Sequence, residues 1–208
     1  MIKSLIYMFR KFRAASLLNL LGLVLAFATS YLLLTQIEYA DDYNKSVPGY
    51  QRCYRLELRG IFSDSAWCTW VSYNLFQKLL DSPGVEGAAA VSPASSFMCE
   101  VLRDGSRHTF PVYETSRESF AFFGLSVLDG SLDSVFACPS IVVTEDIAMR
   151  YFGTEMAAGC KAASCDGSDS VVVAAVVSNL SCNCSMQGQA FRVIDPAAQN
   201  DDDFNTMV

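Results

Sequence analysis

The sequence predicts an α+β chain, with one N-terminal transmembrane helix followed by a mixed α/β extracytoplasmic domain that combines βαβ-like units with a β-rich hairpin subdomain. Three observations predict it. Residues 14–37 form a run of 24 without a charge, and all 22 acidic residues follow that run. Beyond it, apolar residues recur in strand-like and helix-like periods separated by turn residues. At 208 residues, with mean hydropathy +0.25, the chain suits one domain of ordinary size plus an anchor and is too short for a polytopic membrane protein in its own right.

Charge is divided by position. The first 37 residues hold Lys3, Arg10, Lys11 and Arg13 and no acid, so four of the 15 basic residues precede the domain and 11 remain against 22 acids, a formal charge of −11 for residues 38–208. Such a domain repels phosphate backbones, so no nucleic-acid partner is expected. A helix from Ala14 to Ile37 is about 36 Å long at 1.5 Å per residue, enough to cross a hydrocarbon core of about 30 Å. Basic residues before it and Glu38, Asp41 and Asp42 after it place the N-terminus in the cytoplasm and the rest outside. The competing reading is a signal peptide cleaved after Ala26-Phe27-Ala28. Against it, the apolar run continues through Tyr31, Leu32, Leu33, Leu34 and Ile37.

Ahead of the span, Ile2, Leu5, Ile6 and Phe9 recur at helical spacing, as in an amphipathic helix lying in the headgroup layer; a plain positive-inside flank is the alternative. Within the span, Asn19, Gly22, Ala26 and Ser30 step by three, four and four and so share one face. Small residues let a second helix approach, and Asn can bond across the contact. The counter-reading is that Gly and Ala are simply common in membrane helices.

In the outer domain, Arg52 to Leu58 reads as a strand. Val71, Leu75, Phe76, Leu79 and Leu80 follow helical spacing up to Asp81-Ser82-Pro83-Gly84, and Val85 to Val91 reads as a returning strand, giving a βαβ-like unit. Phe97 to Leu102 and His108 to Tyr113 flank Asp104-Gly105, a hairpin turn signal. Glu118 to Phe123 predicts a short helix closed by Gly124. A second strand-to-helix passage runs from Ser140 to Phe152, with Thr144 placed as N-cap, Glu145 and Asp146 in the first turn and Gly153 at the end. Val171 to Val177 predicts a buried strand and Ala190 to Ile194 another, while Asp201 to Asp203 mark a solvated tail.

Several of these stretches, in this order, resemble the N-terminal part of FtsX-like permeases with a MacB-type periplasmic core domain, the membrane subunits of certain bacterial ABC transporters. They are Asn19-Leu20-Leu21-Gly22-Leu23, Tyr54-Arg55-Leu56, Ser82-Pro83-Gly84-Val85-Glu86, and Ser140-Ile141-Val142-Val143-Thr144-Glu145 followed by Ala148, Tyr151-Phe152-Gly153 and Gly159. The resemblance implies a cytoplasmic basic segment (1–13), a transmembrane helix (14–37), an incomplete MacB-like periplasmic core domain (38–195) and a loose acidic tail (196–208). It also implies a bacterial inner-membrane location, a separate cytoplasmic ABC ATPase as partner, and export or efflux driven by conformational change, without chemistry in this chain. A full subunit of that family continues into further helices, normally three. The expectation is therefore a fragment, a split gene product or a degenerate copy, with helices supplied by another chain or a second copy.

All eight cysteines follow the span, where an oxidising compartment permits disulfides, and eight thiols allow 105 pairings. Cys160 or Cys165 with Cys182 or Cys184 is the preferred pairing region, since both pairs flank the Val171 to Val177 strand. Free thiols are the alternative. A zinc site from the same four residues has unusual Cys-x4-Cys and Cys-x-Cys spacing, and Cys182-Asn183-Cys184 lacks a nearby base to act as a redox pair. His108, the single histidine, sits beside a turn next to Arg107 and reads as a surface residue. The phosphate-binding pattern Gly-x-x-x-x-Gly-Lys-Ser/Thr does not occur. No catalytic residue, cofactor or metal is expected. Two functions stay open: a membrane subunit of a transporter, or a stand-alone membrane-anchored binding or sensing domain.

Overall fold

A computed structural model describes residues 13–59, 67–68, 70–165, 170–181, 183–186, 188–194 and 204–206. The amphipathic reading of residues 2–11 lies outside them. The described chain divides into two units, 1–43 and 44–208.

The first unit is helix α1, Arg13–Asp41, 29 residues long. It encloses the uncharged run and extends past it at its C-terminal end. None of its residues is buried, and among the described residues it alone is long and apolar enough to cross a membrane. Both of its threonine hydroxyls bond within the helix: Thr29 Oγ1 donates to the carbonyls of Leu25 and Ala26 at 2.9 and 3.0 Å, and Thr35 Oγ1 to that of Leu32 at 2.9 Å. Back-bonding of this kind is what hydrocarbon requires of a polar group.

Among the described residues the second unit has the strands β1 (Leu58–Arg59), β2 (Trp67–Cys68), β3 (Trp70–Ser72), β4 (Val91–Arg103), β5 (Ser106–Thr115), β6 (Val127–Gly130), β7 (Ser140–Thr144), β8 (Lys161–Ser164), β9 (Ser170–Val177), β10 (Ala190–Val193) and β11 (Phe204–Thr206). Three helices interleave with them: α2 (Tyr73–Leu80), α3 (Glu118–Phe122) and α4 (Glu145–Ile147), which runs on as a π-turn over Ala148–Phe152. Seven strands form one sheet in the order β6-β9-β7-β10-β5-β4-β8, and β8 pairs again with β9. Six of them therefore close into a ring. β9 manages two neighbours on one side by dividing its length, with Ser170 to Val172 against β8 and Ala175 to Val177 against β6.

Alternation sorts the side chains. Ile141 and Val143 of β7 face a core to which all six ring strands contribute, including Cys99, Val101, Phe110, Ala162, Val173 and Ala190, while Val142 faces a second core with Phe120, Phe123, Met186 and Phe191. A register shift in β9, between Ile141↔Val173 and Val142↔Ala175, inserts Ala174 as a bulge. The freed Ala174 carbonyl accepts from the N–H of Ser131 at 3.1 Å. A third cluster joins Phe76 of α2 to Ala88, Ala90 and Ile194.

The predicted hairpin is present as β4 and β5. Asp104 and Gly105 both have positive φ, 53° and 74°, the backbone that a two-residue turn needs to match strand twist. The passage from β7 through α4 to β9 is a βαβ unit with β7 and β9 parallel. The first predicted βαβ unit is not formed. Tyr50–Arg52 makes a 3-10 turn, only Leu58–Arg59 is strand, and the returning strand begins at Val91. Just before it, the Ala90 carbonyl takes the backbone N–H of Ser116 (2.8 Å) and the hydroxyls of Thr115 (3.0 Å) and Ser119 (3.1 Å). β11 pairs antiparallel with β3, so the tail expected to be loose carries a strand at residues 204–206.

Thr144 occupies the N-cap position of α4, but its hydroxyl makes no cap bond and is buried without a partner. Asn179 supplies the bond instead, its Oδ1 accepting from the N–H of Asp146 at 2.9 Å. At the other end Gly153, φ 76°, closes the π-turn, and Arg103 Nη1 donates to the carbonyls of Met149 (3.1 Å) and Arg150 (2.6 Å). The terminal carbonyls of the turn thereby gain a cationic donor.

Candidate functional site

On α1, Asn19, Gly22, Ala26 and Ser30 are all exposed. Ideal geometry puts the four within an arc of about 80° along about 16 Å of helix. A Cβ added at Gly22 would meet nothing within 4 Å, so the face carries an open notch. Nothing in the described residues covers this face.

In the outer domain, the residue that opens the unit is tied to its far end. Asn44, three positions after α1 closes, has φ 61°, a left-handed backbone rare outside glycine. Its N–H donates to the carbonyl of Asn183 at 2.9 Å. Its Nδ2 donates to Ser185 Oγ at 2.7 Å and its Oδ1 accepts from the N–H of Ser185 at 2.7 Å. Both amide atoms thus engage one residue 141 positions away. Burial flanks the pair on each strand of the chain, with Val47 on one side and Cys184 and Met186 on the other, all in the second core. Pro48 adds a close contact: a Cβ on Gly124 would lie 2.9 Å from Pro48 Cγ.

Beside this attachment lies a cleft of about 350 Å³ lined by Ser46, Phe123, Leu125, Ser178, Ser181 and Cys184, among others. Its walls carry hydroxyl, carboxamide and apolar groups, without a charged side chain. It is the size of a small-ligand pocket.

Cys53, Cys138, Cys160 and Cys165 are free thiols. Cys182, half of one preferred pairing, lies outside the described residues. The remaining candidates are not brought together: Cys160 packs against the core inside the ring, Cys165 is exposed at the end of β8, and Cys184 is buried in the core on the opposite face. The sheet itself stands between Cys160 and Cys184. His108 is exposed on β5 with its ring 6.0 Å from that of Tyr151. Among the described residues no group of three or more His, Cys, Asp or Glu side chains is placed to hold a metal.

Sequence reasoning did not single out Asn44, Ser185 or Asn179. The one signal was weak, an Asn in a loop just after a helix, where a left-handed backbone is tolerated.

No protein-family model matches the chain, and no curated protein matches it. Solved structures do. A domain of a permease protein from Porphyromonas gingivalis matches with TM-score 0.54 at 20% identity, over 69% of this chain and 64% of that one. The extracellular domain of the ABC-type transporter YknZ from Gram-positive bacteria matches with TM-score 0.51 at 15% identity, over 74% and 83%. The second unit shares its fold with these two domains. The periplasmic region of MacB from Actinobacillus actinomycetemcomitans also aligns, with TM-score 0.46 at 17% identity over 70% and 59%. This chain spans about two thirds or less of the permease and MacB structures. Within this shared fold, the closed ring, the β4–β5 hairpin and the Asn44 attachment belong to the second unit, and α1 is the apolar helix that precedes it in sequence.

Proposed function

We propose that this chain is a non-catalytic part of an ABC-transporter membrane subunit. In this reading α1 spans the bacterial inner membrane with its N-terminus in the cytoplasm, and the outer domain responds by conformational change to a separate cytoplasmic ATPase. The observation that carries the reading is the likeness of the ring-shaped outer domain to extracytoplasmic domains of permeases, together with the apolar helix ahead of it. The mechanism would be mechanical. Further helices, from another chain or a second copy, would pack on the face of Asn19, Gly22, Ala26 and Ser30.

Purification of the full chain from its native membrane in mild detergent tests this. A nucleotide-hydrolysing subunit with an ABC signature should co-purify in fixed ratio. Recovery of the chain without any such subunit, from membranes and detergents that preserve other ABC complexes, would overturn the reading. A second reading, a stand-alone membrane-anchored binding or sensing domain, draws support from the cleft beside Ser46 and Cys184. It predicts saturable ligand binding with no ATPase partner.

A further inference from the structure

We propose that the outward face of strands β8, β4 and β5, at their hairpin end, is a docking surface for an acidic polypeptide, with Leu102 as its apolar centre and Lys161 and Arg107 as its cationic flanks. The surface lies wholly within the second unit and needs neither an anchor nor an ATPase.

Strand alternation builds this face. On the three strands Cys99, Val101, Phe110 and Ala162 point into the core enclosed by the ring, so the residues between them point outward. On that side Met98, Leu102, Arg107, Pro111, Lys161 and Ala163 are all exposed. The open face of an antiparallel sheet ordinarily carries polar side chains, yet Leu102 is 71% exposed. Leu102 pairs with Arg107 across the hairpin. On its other side β4 pairs with β8 at Glu100↔Ala163, and Leu102 and Lys161 each lie two residues further along. An exposed leucine thus stands between two cations, one on each neighbouring strand about 4.8 Å away.

Charge selects the occupant. Residues 38–208 carry −11, but in the stretches that meet at this end, 98–111, 149–155 and 161–165, Arg103, Arg107, Arg150 and Lys161 stand against Glu100, Asp104 and Glu155, a net of +1 that leaves −12 for the rest. Arg103 joins the π-turn to the hairpin through the carbonyls of Met149 and Arg150. Glu100 and Asp104 already have partners, Arg107 at 3.4 Å and Arg103 at 3.5 Å. Lys161 has no acidic partner among the described residues. A second copy of so acidic a chain is repelled over most of its surface, and a purely apolar partner would desolvate Lys161 without pairing it. What fits is a foreign segment that brings carboxylates on either side of an apolar residue. An extended Glu-x-Leu-x-Glu sets its three side chains on one face at intervals of about 6.8 Å, which the long stems of Lys161 and Arg107 can meet.

Fluorescence anisotropy of a labelled peptide, a repeat of Glu-Ser-Leu-Ser, titrated with the full chain in phosphatidylcholine nanodiscs, tests the surface. The peptide should bind saturably and more weakly as salt rises, and its counterpart with Lys in place of Glu should not bind. Lys161→Glu should weaken binding about tenfold and Leu102→Ser about threefold or more. Lys78→Glu makes the same charge change at an exposed position on α2 and should weaken it less than about twofold. Equal weakening by Lys161→Glu and Lys78→Glu would overturn the proposal, as would undiminished binding in Leu102→Ser or no saturable binding by the wild type. Recruitment of the nanodiscs to phosphatidylglycerol vesicles, lost in Lys161→Glu and unaccompanied by peptide binding, would overturn it in favour of an anionic lipid surface. All three substitutions change exposed side chains, and unchanged thermal melting confirms that each variant is folded. Peptide affinity is independent of ATPase co-purification, so failure of the surface and failure of the transporter reading are separable.

Discussion

The side chain of Asn179 closes over the backbone of Asp146: its Oδ1 accepts the Asp146 N–H at 2.9 Å while its Nδ2 donates to Asp146 Oδ1 at 3.0 Å. The loop after β9 thus caps a helix whose second residue lies 33 positions earlier. Asn179→Ala should destabilise the domain by about 1–2 kcal/mol, as loss of an N-cap does. The residue in the nominal cap position behaves in the opposite sense. Because the Thr144 hydroxyl is buried without a partner, Thr144→Val should leave stability unchanged or raise it by about 1 kcal/mol. Denaturant titration of the full chain in detergent checks both signs, and a large loss in Thr144→Val would refute the assignment of the cap to Asn179.

Two glycines should differ sharply in tolerance. At Gly130, φ 76°, an added Cβ would lie 2.2 Å from the carbonyl oxygen of Ala174 in the β9 bulge, a backbone atom that cannot swing aside. Gly130→Ala should therefore cost about 3 kcal/mol or more. At Gly153, also at φ 76°, the nearest obstacle is the end of the Arg103 side chain at 3.0 Å. That side chain can shift, so Gly153→Ala should cost only about 1–2 kcal/mol. Thermal melting of the two variants side by side decides the order.

The open notch at Gly22 predicts a specific loss. Gly22→Leu should weaken association of α1 with a partner helix by about 1 kcal/mol, roughly fivefold, while insertion is unaffected. Leu21→Ala, on a different face, should leave association unchanged. Energy transfer between labelled chains in vesicles measures both, and equal effects of the two substitutions would show that the small-residue face is not the contact.

Thiol chemistry tests the compartment. Cys138 and Cys165 are exposed, whereas Cys99 is buried inside the ring. A membrane-impermeant maleimide that has crossed the outer envelope should label Cys138 and Cys165 without lysis of the inner membrane, and Cys99 only after denaturation. Labelling of the exposed pair solely after lysis would place the domain on the cytoplasmic side.

Local chemistry was legible wherever one segment decided its own conformation. The 24 uncharged residues from Ala14 have no option but helix in an apolar medium, since no other backbone arrangement of a single segment satisfies its own polar groups. Asp104-Gly105 dictated a hairpin because few dipeptides accept positive φ twice. The run Val171 to Val177 announced a buried strand, and Val171, Val173, Ala175, Val176 and Val177 are buried. The motif order that resembles a permease subunit goes with a fold shared with solved permease and transporter domains.

What long-range contacts decide stayed hidden. Lys161-Ala162-Ala163-Ser164 has no apolar alternation and becomes a strand only because β4 and β9 present free edges to it, which closes the ring. Val85 to Val91 looked like a strand, yet the strand begins only at Val91, beside an Ala90 carbonyl held by Thr115, Ser116 and Ser119 from another part of the chain. The cap of α4 went to Asn179 rather than Thr144, and Asn44 found Ser185 across 141 residues. The sequence alone determined the anchor, the hairpin and the buried strand, since propensity and periodicity act over a few neighbours. Only the tertiary structure decided ring closure, helix capping and the Asn44 attachment, because each hydrogen-bond partner there lies dozens of residues away and becomes a neighbour only once the sheet has formed.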